Sequence, residues 1–66
     1  MRVWVTPFDG DGFRWRIEVW PDGRVRVYRL SDHWVSNAPR RDVRDIGALG
    51  AWLVERDISP DDLTPG

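Results

Sequence analysis

Cysteine and lysine are absent from this 66-residue sequence, and it contains no long apolar run. The lack of cysteine excludes a disulfide scaffold and a zinc ribbon, because both depend on that residue. No apolar stretch approaches the ~7–15 residues of a signal-peptide core or the ~20 residues of a membrane span. We therefore expect a cytoplasmic protein with no membrane association. The formal net charge of −1 also argues against a protein that coats nucleic acid without selectivity.

Tryptophan, in contrast, is abundant, with five residues in a chain that is 41% hydrophobic. A domain of this size buries only about 60% of the surface that its unfolded chain exposes, so its core must depend on large side chains or on oligomerisation. Each tryptophan can bury ~150–250 Å², and we expect a single small domain over residues 1–66. Every basic side chain is arginine, which favours flat, bidentate or stacking contacts, although a GC-rich genome would produce the same bias.

The first half of the chain alternates between apolar and polar residues, which is the period of a β-strand. The segment Asp9-Gly10-Asp11-Gly12 between the first two alternating runs is similar to a calcium loop. A later acidic ligand at the required spacing is missing, however, so we interpret the segment as a turn. The predicted strands cover about 2–6, 13–20 and 24–30.

A hairpin between the second and third strands is the most specific local prediction. The connection Pro21-Asp22-Gly23 has the chemistry of a three-residue hairpin loop, in which the glycine takes the left-handed conformation. Such a loop pairs Val19 with Val25 and Ile17 with Val27, so the turn geometry and the hydrophobic pattern indicate the same register.

A helix is predicted over about 43–57, with Asp42 as its N-cap. Gly47 and Gly50 border its apolar face, and each costs about 1 kcal/mol relative to alanine. We expect that the helix approaches the sheet closely at these glycines, with a tryptophan ring filling the gap. Five residues at helical spacing form the apolar face: Val43, Ile46, Leu49, Leu53 and Val54.

The predicted architecture is α+β, a three-stranded antiparallel β-meander with one α-helix packed on one face to give two layers. The segment 33–35 is predicted as a short strand or an extended lead-in, a short helical segment is expected at Ser59-Pro60, and the tail 63–66 is polar. The residues expected to point at the helix are Val3, Val5, Trp15, Ile17, Val19, Val25 and Val27.

The opposite face of the predicted sheet is rich in arginine and aromatic residues. It carries Arg2, Trp4, Thr6, Arg14, Arg16, Glu18, Trp20, Arg24, Arg26 and Tyr28. Arginine forks match phosphates and guanine edges, aromatic rings stack on bases, and a small sheet can enter the DNA major groove. This pattern indicates a nucleic-acid surface, with duplex DNA as the partner.

The residues expected to contact DNA fall into two groups. Arg40 and Arg41, at the start of the predicted helix, would contact the DNA backbone. Cations at a helix N-terminus oppose the helix dipole, so their placement is locally unfavourable and indicates a role in binding phosphate. The alternative for this pair is a solvated first turn in which Arg41 pairs with Asp45. The candidate residues on the sheet are Trp4, Arg14, Arg16, Trp20, Arg24, Arg26 and Tyr28.

Two other readings of the sheet face stay open. If Trp4 pairs with Arg16, that guanidinium lies between two rings, Glu18 lies between two arginines, and the face satisfies itself through pairs worth roughly 0.2–1 kcal/mol each. Alternatively, the aromatic face binds a protein partner or forms a homodimer.

No catalytic or metal-binding constellation is evident in the sequence. His33 follows Asp32 and has Ser31 and Ser36 nearby, but a serine–histidine–acid set must be assembled in space, and so small a sheet offers little cleft to exclude water. No glycine-rich phosphate loop opens a helix. We expect neither an enzyme nor a cofactor.

Two resemblances bear on this interpretation. Thr6-Pro7-Phe8-Asp9 with Gly12-Phe13 is similar to the opening of MbtH-like proteins, small activators of adenylating enzymes, but the tryptophan–proline element of that family has no counterpart in the middle of this chain. The predicted topology also resembles AP2-type and integrase arm-binding domains, which read DNA with sheet arginines and tryptophans. The second resemblance is at fold level only.

Overall fold

The computed structural model describes residues 1–31 and 43–66, and these form a four-stranded antiparallel sheet with one α-helix. The α+β arrangement agrees with the prediction. The predicted strand 33–35 and Asp42 lie outside the described residues. The elements in chain order are β1 (Arg2–Val5), β2 (Phe13–Val19), β3 (Val25–Ser31), α1 (Ile46–Glu55), a 3₁₀ turn (Pro60–Asp62) and β4 (Thr64–Pro65), and the strands lie in the order β3-β2-β1-β4.

The β2–β3 hairpin has the predicted register, with Val19 opposite Val25 and Ile17 opposite Val27. Gly23 adopts a φ of 89°, and its N–H donates to the carbonyl oxygen of Trp20 at 3.0 Å. Because only glycine takes such a φ without strain, the turn sequence fixes the register of the two longest strands.

The register of β1 differs by one residue from the arrangement considered above. Val5, rather than Trp4, lies opposite Arg16. Since side chains alternate along a strand, a shift of one residue exchanges the faces, so the Trp4 ring packs against the core on the helix side while Val3 and Val5 point the other way. The expected placement of these three residues is therefore wrong.

Thr6 gives a physical reason for this register. It is buried, its N–H donates to the carbonyl oxygen of Trp15 at 3.0 Å, and its Oγ1 accepts the N–H of Trp15 at 2.9 Å. These two hydrogen bonds to Trp15 in β2 hold β1 in its register. The register also places the half-buried Trp4 ring against the core, and burial of apolar area favours a side chain of this size.

Part of the segment 63–66, predicted as a polar tail, forms the short strand β4 (Thr64–Pro65). Thr64 pairs with Val5 and Pro65 with Trp4, and the N–H of Gly66 donates to the carbonyl oxygen of Val3 at 2.9 Å. Proline suits this position because an edge strand does not need every N–H for the ladder.

Helix α1 is shorter than the predicted 43–57. Asp45 is its N-cap, with an extended backbone and a side chain that accepts the N–H of Ala48 at 2.9 Å. Arg44 precedes the helix and pairs with the sheet edge, where its carbonyl oxygen accepts the N–H of Val25 at 3.2 Å. A carboxylate that caps the helix, together with edge pairing of the preceding residue, explains why the helix begins at Ile46.

The buried face of α1 also differs from the prediction. Trp52 and Leu53 are buried, whereas Ile46 and Val54 are 62% and 77% exposed. The helix is rotated so that the Trp52 ring meets the Trp15 ring edge to face, with centroids 5.1 Å apart and planes at 85°. This indole pair joins the helix layer to the sheet layer. The core comprises Ile17, Val25, Val27, Val43, Trp52 and Leu53, with Trp4, Trp15, Val19, Leu49, Ile58 and Leu63 packed against it.

Within the described part of the chain, no helix has the length and apolar composition needed to cross a membrane. Helix α1 has 10 residues, whereas a span takes about 20.

The glycines of α1 do not mark a close approach to the sheet, which corrects the expectation above. A Cβ added at Gly50 would meet no atom within 4 Å, and one at Gly47 would meet only Oδ1 of Asp45 at 3.3 Å. Gly50→Ala is therefore expected to raise the free energy of unfolding by about 1 kcal/mol, because alanine removes the helix-propensity cost without a clash.

Urea denaturation checks this prediction. Gly23→Ala is the matched control and should lower the free energy of unfolding by about 1 kcal/mol or more, since alanine is strained at a φ of 89°. A destabilised Gly50→Ala variant would show that an unseen contact covers this side of the helix.

A Schellman motif ends α1. The N–H of Ile58 donates to the carbonyl oxygen of Leu53, and the N–H of Asp57 donates to that of Val54, both at 3.0 Å. This motif places Asp57 at a φ of 57°, the left-handed conformation in which glycine is most common.

Asp57→Gly is expected to stabilise the fold by about 0.5 kcal/mol, because relief of left-handed strain exceeds the entropy that glycine gains in the unfolded chain. Asp57→Ala removes the same carboxylate but keeps the strain, so it should not stabilise. Thermal melts of both variants measure the difference, and equal stabilisation by the two would assign the effect to the charge instead.

Asp9 organises the β1–β2 connection as a turn. Its Oδ1 accepts the N–H groups of Asp11 and Phe13 at 2.8 and 2.9 Å. The hydrogen bond from Phe13 is the largest influence that holds the pKa of the Asp9 carboxyl below its ordinary value, and the charge of Arg29 lowers this pKa further.

A carboxyl whose pKa is lowered by folding stabilises the fold above its unfolded-state pKa and loses that contribution as the pH falls through the folded pKa. Asp9→Ala should therefore destabilise most at neutral pH, and its difference from wild type should shrink in acid below about pH 4. Chemical denaturation across this pH range measures the trend. Asp11→Ala, which removes a neighbouring carboxylate but not the acceptor, should show no comparable trend.

Candidate nucleic-acid interface

We call the side of the sheet that faces away from α1 the outer face. Its charged members come from two strands and from the hairpin turn that joins them. In β2 and β3 the observed register places Arg16 beside Tyr28 and Glu18 beside Arg26. The outer face carries Val3, Val5, Arg14, Arg16, Glu18, Trp20, Arg24, Arg26, Tyr28 and Leu30.

Three of the predicted contact residues are not part of the described outer face. Trp4 lies on the helix side, where its half-buried ring packs against the core. Arg40 and Arg41 lie outside the described residues. Arg2, predicted on the same face, is opposite Val19 and so belongs to the helix side as well.

Arg16 is largely neutralised by its own strand. Its Nη2 lies 3.2 Å from Oε2 of Glu18, and the two side chains are 40% and 11% exposed. Among the described residues, the Nε of Arg16 is buried with no hydrogen-bond partner. The expected sandwich of Arg16 between Trp4 and Tyr28 does not form, and the residue of β1 beside Glu18 is Val3, not Arg2.

Arg14 and Arg26 are held by aromatic rings instead. The Cζ of Arg14 lies 4.6 Å from the centroid of the Phe8 ring, and that of Arg26 lies 5.3 Å from the Trp20 ring. In residues 1–31 and 43–66, no carboxylate forms a salt bridge with either guanidinium. A guanidinium over a ring is attracted by about 0.5–1 kcal/mol at an exposed site, and its N–H groups keep their capacity to bind an anion.

Arg24 occupies the exposed end of the hairpin. Its Nε lies 3.2 Å from Oδ2 of Asp22, and the two side chains are 75% and 57% exposed. Exposed ion pairs of this kind contribute little, so an incoming phosphate can compete for the guanidinium. Trp20, beside it, is 37% exposed, and the hairpin end therefore presents a ring and two arginines together.

The charge of the outer face is positive although the chain as a whole is not. Four arginines (14, 16, 24 and 26) face two carboxylates (18 and 22) among the described residues, which leaves a formal excess of two positive charges. A local excess of this kind attracts phosphates within about a Debye length, ~8 Å at physiological salt.

Phe8 is a functional candidate that sequence reasoning missed. It is 49% exposed and supports Arg14 from the β1–β2 connection. Its position after Pro7 in an otherwise polar turn was the available signal, since a large apolar residue in a polar connection calls for a contact. The alternation of polar and apolar residues assigns side chains to a face only within strands. It therefore does not predict that the ring of Phe8, in a connection, lies beside Arg14, in a strand.

Comparison of the chain with protein-family models, with curated proteins and with solved structures found no match. The similarity to AP2-type and integrase arm-binding domains therefore concerns predicted topology alone, and fold-level similarity does not establish function. The side chains of the outer face carry the functional argument.

Proposed function

We propose that this protein is a small, non-catalytic, cytoplasmic module that binds duplex DNA through the outer face. One observation carries the proposal: Arg14 and Arg26 lie over aromatic rings and have no carboxylate partner among the described residues. Such groups retain both their charge and their hydrogen-bond donors for phosphates or guanine edges.

The shape of the hairpin is compatible with the major groove. Two neighbouring strands lie about 4.8 Å apart, and the groove is about 12 Å wide. The pairing of β1 with β2 ends at Val19, so the turn end of the hairpin extends beyond β1 and can enter the groove. Arg24 and Arg26 would contact phosphates or bases, and the half-exposed Trp20 ring would pack on the sugar–phosphate backbone or stack at a distorted step.

A protein-binding role is the second candidate. Trp20 and Phe8 are 37% and 49% exposed, and exposed aromatic rings are typical anchors of protein interfaces. In this case the arginines would stabilise the sheet through contacts within the protein, as the ion pair of Arg16 with Glu18 already does. A second copy of the chain or a larger partner would then cover the rings.

Arg24→Glu combined with Arg26→Glu is expected to abolish measurable DNA binding, because two attractive phosphate contacts become repulsive. Fluorescence anisotropy with a labelled mixed-sequence duplex, between about 50 and 200 mM salt, measures the loss. Milder Arg24→Gln with Arg26→Gln should reduce the slope of log K against log salt by about 1.8, since each phosphate contact contributes about 0.9.

The charge-matched control is Arg2→Glu with Arg44→Glu. Both residues are exposed, Arg2 lies on the helix side and Arg44 lies outside the four strands, and the pair changes the net charge by the same amount. This control should weaken binding only slightly. Equal losses of DNA affinity in the two double variants would contradict the outer-face model. Binding of a partner protein with an affinity that does not change with salt would favour the second candidate.

A further inference from the structure

A separate cleft lies on the helix side of the molecule, at the end of the sheet remote from the hairpin turn. It is bounded by the β1–β2 connection, by the Schellman turn after α1 and by the last part of β3. Its volume is about 520 Å³, within the ~300–1,000 Å³ typical of small-molecule sites. The lining residues that matter here are Phe8, Phe13, Trp15, Arg29, Arg56 and Ile58.

Two guanidinium groups converge on one indole in this cleft. The Cζ of Arg29 lies 5.5 Å from the Trp15 centroid, and that of Arg56 lies 5.6 Å from the same ring. Each has a second ring at closer range, since Arg29 lies 4.2 Å from Phe13 and Arg56 lies 4.2 Å from Trp52. Aromatic contacts thus hold both guanidinium groups at the cleft and line it with rings.

Arg29 is half-buried and forms no salt bridge with a described carboxylate. Asp9 lies near enough for Arg29 to lower the pKa of its carboxyl, but Oδ1 of Asp9 already accepts two backbone N–H groups. Arg56 already contacts Oε2 of Glu55 at 3.7 Å and the carbonyl oxygen of Trp52 at 3.4 Å. Arg29 is therefore the cation in this cleft that an anion would stabilise most, because it is partly desolvated.

The cleft also contains carboxylates, and these restrict the charge of the anion. Asp9, Asp57 and Asp62 line it with the two arginines, so three negative groups face two positive ones. A phosphate monoester, close to a dianion at neutral pH, would be repelled more strongly than a singly charged carboxylate. The apolar walls formed by Phe8 and Ile58 favour a ligand with an aromatic or flat apolar body.

We propose that this cleft binds a small aromatic carboxylate. The carboxylate accepts hydrogen bonds from the guanidinium of Arg29 with Arg56 beside it, and the aromatic body packs against Phe8 and Phe13. The cleft shares Phe8 with the outer face, where that ring supports Arg14. It uses neither Arg24 nor Arg26, so its test does not depend on DNA binding through those two residues.

NMR titration of the amide spectrum with 3-phenylpropionate tests the proposal. Its neutral analogue 3-phenylpropionamide and the dianionic phenyl phosphate are the comparison ligands. We expect saturable shifts on the cleft residues with a Kd on the order of 1 mM, as befits a ligand of this size. The amide and the phosphate should each bind at least several-fold more weakly.

Arg29→Gln should weaken binding of 3-phenylpropionate by roughly tenfold or more, because a charge-assisted pair is lost. Arg2→Gln is the matched control, since this arginine also lies on the helix side but outside the cleft, and it should leave the Kd unchanged. Arg29→Lys keeps the charge without the planar fork and should give an intermediate Kd.

The comparison of ligands needs no variant, so the proposal stays testable even if Arg29→Gln fails to fold. Equal affinity for the acid and the amide would overturn it, as would tighter binding of phenyl phosphate or the absence of shifts at concentrations about tenfold above the expected Kd. Unchanged acid binding in a folded Arg29→Gln variant would overturn it as well. DNA binding by the outer face would be unaffected by any of these results.

Discussion

The contact between Trp15 and Trp52 is the interaction on which the arrangement of the molecule depends, because it joins a central strand to α1. An edge-to-face indole pair needs both a set distance and a set angle, so it defines the rotation of the helix as well as its position. With Trp52 turned inward, Arg56 one turn later lies over the same rings, and the chain then returns through Ile58 to the core. The cleft on the helix side is a consequence of this contact.

The extent to which the sequence predicts the fold varies with the range of the interactions. The β2–β3 hairpin could be predicted with its register, because Gly23 and its neighbours specify the turn locally. The register of β1 could not, because it depends on Thr6 bonding to a residue nine positions away and on burial of the Trp4 ring. Alternation alone is equally consistent with either face, so it places Trp4 on the outer face although the ring lies on the helix side. The pairing of β4 depends likewise on a partner at the opposite end of the chain.

Arginine and aromatic rings act together on both sides of the sheet. On the outer face the rings of Phe8 and Trp20 support Arg14 and Arg26, and in the cleft the rings hold Arg29 and Arg56. A guanidinium is weakly hydrated and planar, so a small domain can bury part of it against a ring at a lower desolvation cost than an ammonium. The absence of lysine and the abundance of tryptophan are thus complementary features of one packing solution, whatever the composition of the genome that encodes it.

Strand β4 is only two residues long, yet it has a bearing on how these molecules behave at high concentration. The outward edge of β1 is apolar, and an exposed apolar strand edge is a template on which other chains can pair and aggregate. Thr64–Pro65 occupies that edge, and the proline offers no N–H through which the ladder could extend further. Thr64, Pro65 and Gly66 therefore protect one edge of the sheet, and we expect them to limit aggregation through β1.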